Sequence, residues 1–413
     1  MVWMTAAEAL HVLNVRPQTL YASVSRGKIR ARPDADDPRR SLYHRDDVLR
    51  MARRANGRRK VEAVSTQAMQ YGDPVLPSAI STALDGRLLY RGHDAITLAD
   101  TASLEDIAAL LWQCDTAGGA SGNNSAPAGG CAAAAAGSLV TARTDTFAVQ
   151  AVPAPSARSA LEDGLLALAR RSAIDPPSLG RPVADLRVEA ATVVTALVDA
   201  IAGPAAAPHA AISRRLAGCW NAQPHEDLLR RALVLMADHE LNASTFACRV
   251  AISTGASLAA GVLAGFTTLT GPLHGGAARE FALLAAQARQ SGAAQAVHEW
   301  LADRHALPGF GHPLYPDGDP RAQALIKLLP KMEPYASLAS AAELQAGELP
   351  NIDYALSLLT ASCGLPDEAP FVLFAVGRCV GWLAHALEQV QANRLIRPRA
   401  RYTGPVGINA GIC

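Results

Sequence analysis

The 413-residue chain reads as mainly α-helical, and three observations carry that reading. Half the residues are hydrophobic, alanine and leucine dominate, and aromatics reach only 5%, a composition that suits close-packed helices better than sheets. From about residue 103 to the C-terminus, apolar runs of helical character alternate with short Gly/Pro-rich breaks. Strand signals are confined to two short stretches upstream of that point. The length allows a large core and more than one domain.

Formal net charge is +1, so the molecule as a whole is no evident binder of polyanions. Residues 1–60 nevertheless hold 14 Lys/Arg against 6 Asp/Glu, while the remainder holds 24 against 31. That split marks a basic module appended to a mildly acidic body. The module opens with Thr5-Ala6-Ala7-Glu8, a capping-box pattern that predicts a short helix carrying Ala9, Leu10, Val12 and Leu13. Pro17 suits the first turn of a second helix, Pro17 to Ser25, stopped by Gly27. A Pro/Asp-rich hairpin or wing follows from Ile29 to Tyr43, and a third helix begins near Asp46. Over residues 3–55 this resembles the small winged helix-turn-helix of the MerR and excisionase type. The resemblance implies DNA contacts from Arg16, Gln18, Thr19, Arg26 and Lys28. The alternative is a basic helical extension that only decorates the body.

The module is assigned residues 1–55, and a basic run at 56–62 reads as a linker. From Ser78 the chain turns strand-like, and Asp85-Gly86 between two apolar runs predicts a hairpin. A helix is expected from about Ser103, where Glu105 and Asp106 favour an N-terminus. Residues 115–138 are almost entirely Ala, Gly, Ser and Asn and read as a flexible surface insertion. Seven scattered cysteines without C-x-x-C spacing argue against a zinc site or disulfide framework and point to a reducing cytoplasm. No metal is expected. The first apolar run is broken by Glu8, His11 and Asn14, unlike a signal peptide. No unbroken apolar run of about 18 residues is evident, so no membrane partner is expected.

Four segments place polar and titratable residues at Gly/Pro-rich ends of apolar helices. They are Ala237 to Ser244, Gly271 to Ala277, Gly309 to Arg321 and Pro350 to Tyr354. Six glycines and prolines between Gly309 and Arg321 forbid a regular helix around His312. Downstream lie Arg378, in an apolar run, and Arg397, beside Pro398. In this order, and with Asp85–Gly92, these segments resemble the citrate synthase family over about residues 63–404. The resemblance implies an all-helical homodimer whose subunits have a large domain and a small one, here roughly 282–375. It implies condensation of oxaloacetate with acetyl-CoA, then hydrolysis of the thioester, with no cofactor beyond the CoA substrate.

By that resemblance Asp353 is the base that takes a proton from the thioester's methyl group, and His274 donates to the thioester oxygen. His312 meets the ketone carbonyl. Arg321, Arg378, Arg397 and His239 hold the dicarboxylate, with Arg397 reaching the partner's site. The chemistry asks for these types: a weak carbon acid needs a held carboxylate and a donor at the developing oxyanion. Two carboxylates call for planar guanidinium forks. Taken singly, each residue has a plainer reading: His239 as a core or capping histidine, Asp353 as an N-cap, Arg378 as an ion-pair partner, Arg397 as a surface charge. Asp238 and Glu240 read as structural or exposed, and His209, His225, His298, His305 and His385 as solvent-facing or packed.

Pro313 and Pro316 stand where the family usually carries basic residues, and Met236 where many members have histidine. Loss of charge there leaves acyl-CoA preference open. Two alternatives accompany the citrate synthase reading: a 2-methylcitrate synthase using propionyl-CoA, and a DNA-binding regulator whose body only senses a metabolite.

Overall fold

The computed structural model of the chain describes residues 3–13, 20, 23–25, 28–34, 41–48, 76–114, 159–203, 210–304 and 306–398. Two units emerge: a smaller one assigned to Met1–Pro77 with Arg399–Cys413, and a larger one, Ser78–Pro398. The expected 56–62 linker and 115–138 insertion lie outside the described residues, as do Arg16, Gln18, Thr19 and Arg26.

In the smaller unit the Thr5–Glu8 capping box forms, with Thr5 N–H donating to Glu8 Oε2 at 2.8 Å and Glu8 N–H to Thr5 Oγ1 at 3.3 Å. It opens helix α1 (Ala6–Leu13). Strands β1 (Trp3–Met4), β2 (Ala31–Pro33) and β3 (Ser41–His44) make an antiparallel sheet in the order β1-β3-β2. The hairpin expected between Ile29 and Tyr43 is the β2–β3 pair, with Arg32 opposite Leu42. The pairing of Trp3 with His44 escaped the sequence, since a two-residue strand has no period to read. Helical backbone is present at residues 20, 23–25 and 45–48. Met4, Ala9, Leu13, Leu20, Ile29, Tyr43 and Val48 form this unit's apolar cluster.

The larger unit begins with an antiparallel meander, β4 (Ser81–Leu84), β5 (Arg87–Tyr90) and β6 (His93–Asp94). Its first turn is Asp85-Gly86, with φ of 50° and 71°, the left-handed conformation that a two-residue hairpin requires. Asp94 then accepts from Ile96 and Thr97 N–H and starts α2 (Ala95–Thr101), a helix too short to have been read from periodicity. A reciprocal Ser103–Asp106 capping box opens α3 (Leu104–Trp112) where a helix was expected. The remaining helices are α4 (Ala160–Ile174), α5 (Val183–Ala202), α6 (Ile212–Cys219), α7 (Glu226–Met236), α8 (Ala243–Ser253), α9 (Leu258–Leu269), α10 (Ala277–Ser291) and α11 (Ala293–Arg304). After the His312 loop come α12 (Pro320–Ile326), α13 (Tyr335–Ala346), α14 (Ile352–Cys363) and α15 (Ala369–Ala392).

Two apolar clusters organise these helices. One runs along α15 and takes in α3, α5, α7 and α9. The other gathers Phe281, Trp300, Phe310, Tyr335, Leu338, Tyr354 and Leu358. Helix α14 contributes to both: Ile352, Ala355, Leu356 and Leu359 face the first, Tyr354 and Leu358 the second. Its N-terminus, with Asp353, therefore sits at their junction. Among the described residues α15 alone is long and apolar enough to cross a bilayer, and 94% of its apolar window is buried in the protein. The sequence reading required an unbroken apolar run and passed over it. Burial in the core explains its composition.

Candidate active site

The segment between α11 and α12 is an irregular loop, as its glycines and prolines dictate. Gly309 and Gly311 adopt φ of 80° and 67°. A Cβ on Gly309 would lie 2.5 Å from the Phe281 ring, so no larger residue fits there. The loop is stapled to the residues before α14. Gly311 N–H donates to Leu349 O and Asn351 N–H to Gly309 O, both at 2.9 Å. The Asn351 amide reaches Gly311 O at 3.0 Å. These bonds fix the His312 loop against the start of the Asp353 helix.

Within the loop, Leu314 N–H donates to His312 Nδ1 at 3.1 Å. Nδ1 is thus an acceptor, and the neutral ring carries its proton on Nε2, ready to donate. Burial, with Arg321 adding, lowers the His312 pKa to about 4. Asp319 caps α12 by accepting from Arg321 N–H at 3.0 Å and also accepts from Ile352 N–H at 3.1 Å. The same carboxylate takes the Arg321 fork bidentately, at 3.0 and 2.8 Å. Arg321 is thereby aimed, and held charged, in a site where it is 2% exposed.

His239 lies in the turn after α7. Its Nε2 is 2.9 Å from the Tyr315 hydroxyl, and its ring meets His312 edge-on at 5.1 Å. Burial and then the charges of Arg321 and Arg378 hold its pKa well below the ordinary imidazole range. The flanking residues clamp the turn. Ser81 Oγ donates to Asp238 Oδ2 at 2.5 Å and accepts from Glu240 N–H at 2.9 Å. Glu240 Oε1 accepts from Ala83 N–H at 2.6 Å, while Glu240 itself sits at φ 52°. Asp238 is fully buried and also meets His385 Nε2 at 3.1 Å.

His274 precedes α10 in a tight turn. Gly275 and Gly276 are needed there, since a Cβ on either would stand within 3 Å of backbone oxygen. Its Nε2 is 2.8 Å from Ser244 Oγ, which also accepts from the Trp382 indole N–H at 3.1 Å. The Ser244 hydroxyl itself donates to Asn242 Oδ1 at 2.8 Å, so its oxygen accepts from His274 and the neutral ring carries its proton on Nε2. Burial, and then Arg378, lowers its pKa to about 4.

Arg378 lies on α15 and is 1% exposed. Its Nε donates to Met236 O at 2.9 Å and its guanidinium lies 4.8 Å from the Phe374 ring, whose edge also faces His274 at 5.7 Å. Among the described residues no carboxylate lies within ion-pair distance of it. Burial without such a partner pulls its pKa to about 10. A buried, uncompensated guanidinium is costly unless an anion arrives to pair with it.

Asp353 shows the converse. Its Oδ1 is buried with no hydrogen-bond partner. Burial raises its pKa to about 7, although Arg321 and Arg378 pull the other way. The capping role that Asp353 alone would suggest falls to Asn351, whose Oδ1 accepts from Asp353 N–H at 3.0 Å. The Asp353 carboxylate is left free for another use.

Six expected residues thus share one network: His239, His274, His312, Arg321, Asp353 and Arg378. Arg397 stands apart, exposed on the segment after α15, and Lys28 is exposed in the smaller unit. Sequence reasoning passed over Tyr315, Asp319, Ser244, Phe374 and Trp382, and it assigned no site role to Asp238. Asp319 had a local signal, an Asp-Pro-Arg cap, and Phe374 lies one helical turn from Arg378. Tyr315, Ser244 and Trp382 instead make the hydrogen bonds that join them to the site with residues 30 or more positions away. His385, expected to face solvent or pack, is buried against Asp238. The arrangement offers positive charge, neutral N–H donors and a carboxylate able to take up a proton near neutral pH.

The family described as "Citrate synthase, C-terminal domain" matches residues 70–399. Citrate synthase 2 of Bacillus subtilis (strain 168) is 37% identical over 190 residues, 43% of this chain and 51% of its own length. 2-Methylcitrate synthase 2 of Corynebacterium glutamicum is 32% identical over 186 residues, 42% and 48% of the two chains. The chain spans about half the length of these curated relatives. A solved Thermoplasma acidophilum citrate synthase, a ternary complex with carboxymethyl coenzyme A and oxaloacetate, superposes with TM-score 0.65 at 25% identity. That likeness covers 83% of this chain and 97% of that one.

Proposed function

Because the chain belongs to the citrate synthase family, we propose that it condenses oxaloacetate with a short acyl-CoA and hydrolyses the resulting thioester. One observation carries the reading: Asp353 is a buried carboxylate without a partner for Oδ1 and with a pKa raised to about 7. A ligand-binding protein needs the arginines, but it has no use for such a base.

In this reading Arg378 and Arg321 pair with the carboxylates of oxaloacetate, assisted by His239. Asp353 takes a proton from the carbon next to the thioester carbonyl, while His274 steadies the enolate oxygen through Nδ1–H, a tautomer reached when Ser244 turns its hydroxyl from Asn242 Oδ1 to Nε2. The enolate carbon bonds to the ketone carbon as Nε2–H of His312 protonates the ketone oxygen. Water then attacks the thioester carbonyl and returns a proton to Nε2 of His312, the C–S bond breaks, and the proton held by Asp353 passes to the CoA sulfur, restoring both side chains. Neutral imidazoles serve both steps, because they donate without adding a charge that would hold Asp353 ionised. We place the enzyme in the cytoplasm as a homodimer, with Arg397 reaching the partner's dicarboxylate.

Acetyl-CoA is the acyl donor we assign. Propionyl-CoA, giving 2-methylcitrate, is the alternative that the Corynebacterium relative's name and the uncharged Pro313 and Pro316 keep in play. One methylene is worth about 1–3 kcal/mol in an apolar pocket, so kcat/KM for the two thioesters decides between them. A thiol-release assay with oxaloacetate and a panel of acyl-CoAs tests the whole reading. Release with acetyl-CoA is expected. Silence with every short acyl-CoA leaves only the metabolite-sensing alternative.

A second reading concerns the smaller unit. Its basic charge, capped helix and antiparallel sheet support a DNA-binding role of the winged helix-turn-helix kind. The full chain is then expected to retard duplex DNA in a gel, with affinity falling steeply as salt is added. Retardation that is absent at low salt, or indifferent to salt, removes that role.

A further inference from the structure

Tyr315 belongs to the His312 loop and has no part in the chemistry described so far. It is 2% exposed, and among the described residues its hydroxyl has one hydrogen-bond partner, Nε2 of His239 at 2.9 Å. The ring of Tyr315 lies 4.9 Å from the His312 imidazole and 5.5 Å from that of His239. The Arg321 guanidinium stands 5.9 Å from its centroid. One side chain thus touches three members of the dicarboxylate-binding group.

The bond between Tyr315 and His239 can be made in two ways, and they are not equivalent. A neutral imidazole has one proton. If that proton sits on Nε2, His239 donates to the phenol oxygen, and the phenol's own hydrogen is left buried without an acceptor. Nδ1, which makes no hydrogen bond among the described residues, would then offer only a lone pair. If the phenol donates to Nε2, both atoms are satisfied and the proton sits on Nδ1. An anionic carboxylate accepts from an N–H and is repelled by a lone pair.

We propose that Tyr315 is a positioning residue that donates its hydroxyl proton to Nε2 of His239, fixing the tautomer that presents Nδ1–H to a carboxylate of oxaloacetate. The assignment rests on the dicarboxylate site proposed above. It extends that site to a residue whose effect passes entirely through His239. It also gives the buried hydroxyl of Tyr315 a use that packing alone would not require, since phenylalanine would fill the same space.

The test compares Tyr315→Phe with the wild-type full chain. Oxaloacetate is titrated calorimetrically, thiol release is followed with acetyl-CoA, and histidine 15N shifts are recorded without substrate. Loss of an N–H contact to a charged group is expected to raise the dissociation constant and KM for oxaloacetate about tenfold or more. kcat at saturating oxaloacetate should change by less than about threefold, a split that general loosening of the fold would not give. The 15N spectrum should show His239 protonated on Nδ1 in the wild type and shifted toward Nε2 in the variant. Unchanged oxaloacetate binding in Tyr315→Phe, or a wild-type His239 protonated on Nε2, overturns the assignment. If the variant fails to fold, the wild-type spectrum alone decides. Normal wild-type thiol release with an indifferent variant sinks this inference and leaves the condensing reading intact. Tyr315-dependent binding without any thiol release does the reverse.

Discussion

Asp353 is held in a state that the rest of the protein does not stabilise. Burial lifts its pKa to about 7, and its Oδ1 has no donor. Activity should follow its ionisation, because the working form of a base is the deprotonated one. kcat/KM for thiol release is expected to climb about tenfold per pH unit below 7 and to level off above it. His274 and His312, both lowered to about 4, remain neutral throughout that range and add no further inflection. The same shift makes a prediction for stability. Between the ordinary carboxylate range and pH 7 the folded state keeps a proton that the unfolded state has released, so wild-type stability falls as pH rises through that window. Asp353→Asn cannot ionise, and it should therefore melt higher than the wild type at pH 8, by no more than about 4 kcal/mol of stability. The gain should shrink toward pH 5. Thermal melts of both proteins at the two pH values check it, and equal differences at both would contradict the assigned shift.

At the scale of elements, the site depends on how closely α7 and α15 approach. Gly377 and Gly381 lie one turn apart on α15 and face the end of α7. A Cβ on Gly377 would fall 2.8 Å from Leu233 O, and one on Gly381 would fall 2.5 Å from Asp238 Oδ1. Gly381→Ala must push α7 away, moving His239 relative to Arg378. The expected results are a loss of about 1–3 kcal/mol in stability and a raised KM for oxaloacetate, read by denaturant titration and by kinetics. A variant with normal stability and KM would show that the helices can part without cost to the site.

Elements also mark the limit of what the sequence reveals. The hairpin at Asp85-Gly86, the helix from Ser103 and the irregular His312 loop were legible, because turn residues and caps act within a few positions. The staple from Gly309 and Gly311 to residues 349–351 was not, because it joins segments some 40 positions apart. Asp238 and Glu240 looked dispensable for the same reason: their partners Ser81 and Ala83 lie over 150 residues upstream. The site's histidines, arginines and Asp353 were reached through motif resemblance, while the residues that orient them were visible only in three dimensions.

At the scale of the whole molecule, Asp353 lies where α14 passes between the two apolar clusters, whereas Arg397 is exposed beyond α15. If Arg397 serves a partner's site, Asp353→Asn and Arg397→Ala chains should each be nearly inactive alone. Mixed after refolding together, they should recover about a quarter of wild-type activity, since half the dimers are hybrid and each hybrid has one complete site. No recovery, with hybrids shown to form, would place Arg397 in the site of its own chain or outside catalysis.

The central claim is that this carboxylate performs the proton abstraction of a condensing enzyme. It is tested most directly by oxaloacetate-dependent thiol release from acetyl-CoA, measured on the wild type beside Asp353→Asn, with oxaloacetate binding determined for both. Release by the wild type is expected, with a loss of about 100- to 10,000-fold in the variant and oxaloacetate affinity unchanged within about threefold. A variant that releases thiol as fast as the wild type would contradict the account.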